Sequence, residues 1–387
     1  PQPKDAAPLA AQPARVELFT PWAAPKRNGD AEIWYRTAEA RQSAPKEPPP
    51  GARPEDLGWK AFRFTAPVYE NRRVTGVIEL PDGRLFGNCD PYQGNYLYDP
   101  AEDALTHLGQ LPLSQYTMLV HEGKVYMSGY PSSALYVYDP SKPWTVGVVR
   151  EFGGRAIPHD HADSNPRFLG YLKYKCGSHK MWASAVGANG RLYFGGRWYR
   201  DGEGGGLAWW DTKTQQPGGY WKPFSTYRIQ YMTAADQGRR IVVSTEAIED
   251  RLLNQPKPAQ GKLFVLDAAT GEIIREIEPV AGATCTGHVA GVGGTRVLGL
   301  IPDPEDVTAC ILYGVDVADG TVCFRRKLPF ALPWREAHLH QGGGMFDFRM
   351  GPDGRVWTYL GPCLVRIDPD TTEITPVGHI RLGGRIA

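Results

Sequence analysis

Two stretches of this chain, "ELPDGRLFGNCDPYQGNYLYDP" (79–100) and "LVHEGKVYMSGYPSSALYVYDP" (119–140), align without a gap 40 residues apart. Each reads as an apolar run, a polar turn, an aromatic-rich apolar run, a break, and a second apolar run closing on Asp. Looser copies occupy 185–214, 234–271, 291–320 and 349–371, so the pattern is written six times. The runs are rich in β-branched and aromatic residues and too short for helices, and DG, EG, NG or GG between such runs is a hairpin signal. The chain is therefore expected to be all-β.

Several short strands per copy, repeating every roughly 40 to 70 residues, match the period of one propeller blade. A sandwich would not reuse one strand-turn-strand text so often. The expected architecture is a seven-bladed β-propeller of four-stranded antiparallel blades, with eight blades as the alternative. The seventh follows from closure: "VGHIRLGGRIA" (377–387) reads as an innermost strand, and a closed ring needs its partners from the N-terminal side, with "LGWKAFRFTAP" (57–67) as the candidate. Residues 1–56 are rich in Pro, Ala and charge and read as an arm or linker, leaving 57–387 as the propeller domain. Within the arm only "VELFTPW" (16–22) and "AEIWYR" (31–36) have the pattern to add a strand.

Composition narrows the partners. Lys and Arg number 43 against 42 Asp and Glu, so no global field draws the protein to nucleic acid or an anionic membrane, and an anionic ligand needs a local cluster. No apolar stretch has the length of a membrane span and no signal peptide is visible. The start at Pro1 without Met points to a removed leader or neighbouring domain, and so toward secretion or the periplasm. The 6 cysteines lack CxxC spacing and read as buried free thiols, with a disulfide framework as the alternative.

Turns alternate between the two faces of a propeller. The A–B and C–D turns are short and bland, as in "PDG" (81–83), "HEG" (121–123) and "AATG" (268–271). The other face collects the chemistry. Ahead of successive innermost strands stand Arg72 and Arg73; Gln115 and Tyr116; His179 and Lys180; Arg228, Gln230 and Tyr231; His288; and His338, His340 and Gln341. The B–C loops add Asn88, Tyr92, Arg197, Tyr199, Glu246 and Glu249. The insertion 141–178, read as a D–A connection, adds His159 and His161. These groups are expected to overhang one mouth of the central channel. A neutral imidazole such as His179 suits a general base, a cation such as Lys180 suits a carboxylate, and loop tyrosines suit a stacking platform. "HLHQ" (338–341) puts two imidazoles on one side of an extended segment, within reach of a metal site shared with His288. The bland alternative is that these histidines only bond loop backbone. "DGEGGG" (201–206) lacks the Lys of a phosphate loop, and no nucleophile elbow appears.

Across about 58–387 the repeats resemble propellers of the quinoprotein-like and Kelch-like type. The histidine cluster resembles that of β-propeller polysaccharide lyases, especially the oligogalacturonate lyases, although Gln341 follows the HxH pair here. The resemblance implies β-elimination on a uronic-acid-containing glycan. It implies a divalent metal (Mn, Ca or Zn) on His288, His338, His340 and Gln341. In that scheme His179, Lys180, Tyr231, Arg73 and Arg228 are the catalytic candidates. Arg72, Tyr92, Arg197, Tyr199, Gln230, His159 and His161 are the binding candidates for an anionic poly- or oligosaccharide. Two other classes stay open: a non-catalytic propeller module of a larger enzyme, binding glycan or protein, and a glycoside hydrolase.

Overall fold

The computed structural model describes residues 16–19, 30–37, 56, 60–65, 73–90, 94–111, 113–146, 163–197, 204–249, 254–306, 308–330, 348–360 and 363–379. The chain divides into two units, Pro1–Arg72 and Arg73–Ala387. In the first, β1 (Val16–Phe19), β2 (Asp30–Thr37) and β3 (Lys60–Thr65) form a three-stranded antiparallel sheet in that order.

The second unit is a β-propeller of four-stranded antiparallel blades, and the described residues build six of them. Blade I is β4 (Arg73–Glu79), β5 (Leu85–Asp90), β6 (Gly94–Asp99) and β7 (Ala104–His107). Blade II is β8 (Ser114–His121), β9 (Lys124–Tyr130), β10 (Ala134–Tyr138) and β11 (Arg167–Tyr171). A short helix, α1 (Lys173–Cys176), leads into blade III: β12 (Lys180–Val186), β13 (Arg191–Arg197), β14 (Gly205–Asp211) and β15 (Gln216–Tyr220). Blade IV is β16 (Tyr227–Ala235), β17 (Arg240–Ala247), β18 (Leu263–Asp267) and β19 (Ile273–Ile277). Blade V is β20 (His288–Gly291), β21 (Arg296–Pro302), β22 (Cys310–Asp316) and β23 (Val322–Leu328). Blade VI is β24 (Arg349–Met350), β25 (Val356–Leu360), β26 (Cys363–Ile367) and β27 (Ile374–His379).

In blades II to V the middle strands are buried on both faces because each sheet is packed between two others, which explains their continuous apolar runs. In β9, Val125 and Met127 enter the core shared with blade I, while Tyr126 enters the core shared with blade III. Apolar clusters of this kind fill the gaps between consecutive blades from I to VI. The fourth strands are largely exposed, as in β7 and β23.

The Asp that closes each copy has one local task. Asp99, Asp139, Asp211, Asp267, Asp316 and Asp368 each accept, on Oδ1, the backbone N–H two residues on, at 2.8–3.1 Å. This Asx turn starts the reversal into the fourth strand. Backbone N–H donors three residues on, from Thr214, Thr270 and Thr371, hold the carboxyls of Asp211, Asp267 and Asp368 below their ordinary value of 3.8. A carboxylate depressed by folding contributes stability above its unfolded pKa, and that stability is lost as pH falls through the folded pKa. The melting temperature is therefore expected to hold near neutrality and to fall as pH drops below about 4. Calorimetry across that range checks this, and a melting temperature indifferent to acid there contradicts it.

Three expectations need correction. The described ring has six blades, not seven. The segment expected to open a seventh begins inside β27, which pairs with β26 from Cys363↔His379 to Ile367↔Ile374 as the outermost strand of blade VI. Its expected partner, 57–67, contains β3, which is hydrogen-bonded to β2 in the three-stranded sheet. Blades I and VI are thus each built from consecutive strands. The insertion after Asp139 is also placed differently: β11 is the fourth strand of blade II, so the segment joins strands C and D, and the D–A connection is only 172–179.

Cys176, Cys285, Cys310, Cys323 and Cys363 are free thiols, and burial pushes Cys176, Cys285 and Cys310 up to about 12. These three are inert packing groups at neutral pH, whereas Cys323 is exposed, against the expectation of buried thiols.

Candidate ligand-binding channel

The innermost strands surround one channel of about 690 Å³, lined from all six blades. Its chemistry is graded along the axis. Toward the A–B turns the lining is mainly small or apolar, with Ile78, Val120, Val186, Ala234 and Gly291, and Arg349 of β24 is a charged exception there. Toward the opposite mouth it carries Asn88, Tyr116, Trp182, Arg197, Arg228, Gln230, Tyr231 and His288.

A repeated backbone irregularity creates that mouth. The pairing of the two inner strands slips by one residue between Val74 and Gly76, Gln115 and Thr117, Met181 and Ala183, and Ile229 and Tyr231. Counted back from the A–B turn, the four slips coincide, leaving Thr75, Tyr116, Trp182 and Gln230 as equivalent bulged residues. A bulged residue drops out of the ladder and its side chain is re-aimed. The rings of Tyr116 and Trp182 accordingly lie face to face, with centroids 4.6 Å apart and planes at 8°. The guanidinium of Arg197, from the end of β13, lies 4.9 Å from the Trp182 ring. This is a cation–π contact on an aromatic stack.

On blade IV the carboxylate of Glu246 gathers two donors on one oxygen, Oε2: Arg228 Nη1 at 3.1 Å and Gln230 Nε2 at 2.8 Å. Arg228 and Glu246 are directly paired across β16 and β17, so the ladder sets this geometry. Next to it, Tyr231 and the imidazole of His288 are in ring contact, centroids 3.8 Å apart, with His288 only 4% exposed. Gln230 Oε1 and Trp182 Nε1 have no hydrogen-bond partner among the described residues.

The structure thus brings together Arg197, Arg228, Gln230, Tyr231 and His288 among the sequence candidates. It places His179 and Lys180 elsewhere, since neither lines the channel. His179 Nδ1 accepts the backbone N–H of Ser132 at 2.9 Å, tying the D–A connection to the B–C loop of blade II. Lys180 is 6% exposed, with its ammonium 5.0 Å from the Tyr130 ring. Both serve the seam between blades II and III. Arg73 lies in β4, and its side chain is outside the described residues, as are Arg72, Tyr92, His159, His161, Tyr199, His338, His340 and Gln341. Among the described residues no group of three or more His, Cys, Asp or Glu converges in a metal-binding arrangement.

Of the lining residues that sequence reasoning passed over, Arg349 among them, Trp182 is the one stacked on a sequence candidate. The available signal was its register: counted back from the A–B turn, it matches Tyr116, which was chosen.

No protein-family model matches the chain, and no curated protein matches it significantly. Solved structures do. The Dos1 propeller aligns with a TM-score of 0.51 at 10% identity, covering 81% of this chain and 74% of that one. Hydrazine synthase of Kuenenia stuttgartiensis aligns with a TM-score of 0.50 at 12% identity, covering 79% of each chain. Virginiamycin B lyase from Staphylococcus aureus aligns with a TM-score of 0.45 at 10% identity, covering 89% of this chain and 96% of that one. At these identities the first two likenesses speak for the propeller fold and leave the chemistry to the residues. No helix among the described residues is long and apolar enough to cross a membrane.

Proposed function

We propose that the polar mouth of the channel binds a uronate-bearing glycan and cleaves it by β-elimination. The observation that carries this reading is the convergence of Arg197, Arg228, Tyr231 and His288 beside the stacked Tyr116 and Trp182 in one channel. In this reaction the α proton beside the carboxylate is removed, its C–H electron pair becomes the new C=C bond, and the bond from the β carbon to the glycosidic oxygen breaks. That oxygen leaves with the pair and takes up a proton. The α proton becomes acidic only when the carboxylate is neutralised, which is a task for Arg228 and Arg197. Tyr231 is the base, and its phenol afterwards returns the proton to the leaving oxygen. Glu246 orients Arg228 and Gln230 from behind. A sugar ring stacks against the aromatic wall.

The resemblance also implies a divalent metal. Of its four expected ligands His288 is described, and this buried imidazole lines the channel beside Tyr231, which fits a cation acting on the same carboxylate. With His338, His340 and Gln341 it would hold that ion, whose chemistry is further charge neutralisation.

A hydrolase needs two carboxyl groups flanking the bond. Among the described residues lining the channel there is no Asp or Glu, which speaks against hydrolysis. A binding-only propeller is the stronger rival, because Arg228 already has a carboxylate partner in Glu246 at 3.1 Å. Incubation with polyuronates of different sugars separates the three. A rise in ultraviolet absorbance from the unsaturated uronate is expected for the lyase. Reducing ends without absorbance indicate hydrolysis, and binding without either indicates a module; both overturn the lyase reading.

A further inference from the structure

Away from the channel, the connection between blades II and III carries a second constellation. Tyr171 ends β11, and Tyr174 stands on α1, their rings edge to face with centroids 6.2 Å apart. Lys173 Nζ lies near both, 5.9 Å from the Tyr171 ring and 5.0 Å from the Tyr174 ring. Tyr174 is 75% exposed, unusual for a ring in an ordered segment, and Tyr171 and Trp221 are each 38% exposed. Trp221 belongs to the next D–A connection, yet it reaches α1. Gly177 ends that helix with φ 72, and a Cβ there would lie 3.1 Å from the Trp221 ring. Glycine therefore allows both the left-handed cap and the close approach of the indole. Lys175, whose Cβ packs near Gly219, and Lys222 beside Trp221 complete the group.

The charge is one-sided. Among the described residues no carboxylate pairs with Lys173, Lys175 or Lys222. Exposed rings interleaved with unpaired ammonium groups match a chain that alternates flat apolar sugar faces with carboxylates. An uncharged glycan leaves the lysines unused, and an apolar protein surface would have to desolvate them. The location fits a long chain. Both D–A connections open on the face that carries the channel mouth, and α1 packs on β14 and β15, the outer strands of blade III.

Resting on the reading of the channel as a uronate site, we infer that Tyr171, Lys173, Tyr174, Lys175 and Trp221 form an outer subsite for the same anionic polysaccharide, so that the substrate is a polymer gripped at hub and rim. The test compares binding of a long polyuronate and a short oligouronide by calorimetry, for the full chain and for Tyr174→Ala and Lys173→Ala/Lys175→Ala. These side chains are exposed, and circular dichroism verifies that the fold is kept. Polymer affinity is expected to fall roughly tenfold in each variant while oligouronide affinity holds. An unchanged polymer affinity overturns the subsite. An equal loss on a neutral polysaccharide overturns its anionic specificity. Arg228→Gln read in the same assay separates the two sites: if that variant leaves oligouronide binding intact, the channel reading fails, whereas the subsite fails only on the Tyr174 and lysine variants.

Discussion

Arg228→Ala is expected to lower uronate cleavage by about a hundred- to a thousandfold, the range seen when one charge-stabilising donor is removed from a pocket. The guanidinium is bonded to Glu246 Oε2 and its position is set by a strand pairing. Its removal takes away the charge that lets a proton leave from beside a carboxylate, so the loss should appear in kcat and KM together. Tyr231→Phe is the companion variant. It keeps the ring against His288 but deletes the phenol, so kcat is expected to collapse with KM little changed. Steady-state kinetics on the polyuronate that gives the strongest absorbance signal measures both. Full activity in Tyr231→Phe would remove the proposed base. Full activity in Arg228→Ala would remove the carboxylate clamp.

The strand text of the repeats translates almost directly into structure, because each element in it has a local cause. The DG and EG dipeptides close inner hairpins, and the Asp at the end of each copy caps the next turn through its own side chain. Blade number was harder to read because it depends on how the ring closes, a relation between distant segments. "VGHI" alternates like any half-buried strand, and nothing local marks β27 as an outer strand of an existing blade. The long insertion misled for a related reason: β11 is a short strand, exposed at both ends and half-buried between them, far from β10 in sequence, so its membership of blade II is settled by pairing alone.

The channel was legible to the degree that mouth residues lie toward the entrance of an inner strand. Tyr116, Gln230, Tyr231 and His288 follow that rule. His179 and Lys180 obey it too, but the crossover where they stand also needs hydrogen bonds and packing, and the seam between blades absorbs them. Trp182 illustrates the opposite failure. In "KMWASAV" a strict alternation gives no reason to single it out, and only a one-residue bulge brings its indole onto Tyr116 in the channel wall.

Gly299→Val is expected to destabilise the propeller by about 3–5 kcal/mol, as much as truncating the large ring it faces. Gly299 of β21 pairs directly with Tyr313 of β22, and a Cβ at 299 would sit 2.0 Å from Tyr313 Cζ. The ring has no free space to retreat into. It is fully buried between blades IV and V, its hydroxyl donates to the Thr286 carbonyl at 2.5 Å, and burial pushes its phenol well above the ordinary range. A valine therefore expels the ring, opens the core it filled and leaves the Thr286 carbonyl unpaired, whereas Tyr313→Phe removes only the hydrogen bond and should cost about 1 kcal/mol. The two sites are coupled, so Gly299→Val with Tyr313→Ala should be less destabilising than the sum of the single changes. Denaturant midpoints of the parent, the three single variants and the double variant measure this. The same arrangement recurs in blade I, where Gly87 pairs with Tyr96 and a Cβ would lie 2.2 Å from its ring. Glycine in a strand interior ordinarily weakens it, and its presence opposite a tyrosine in both blades follows from the ring that lies across it. If Gly299→Val keeps the parental midpoint, the cross-strand packing that defines the inter-blade core is wrong, and the positions assigned to His288 and Tyr231 on the adjoining inner strands lose their support.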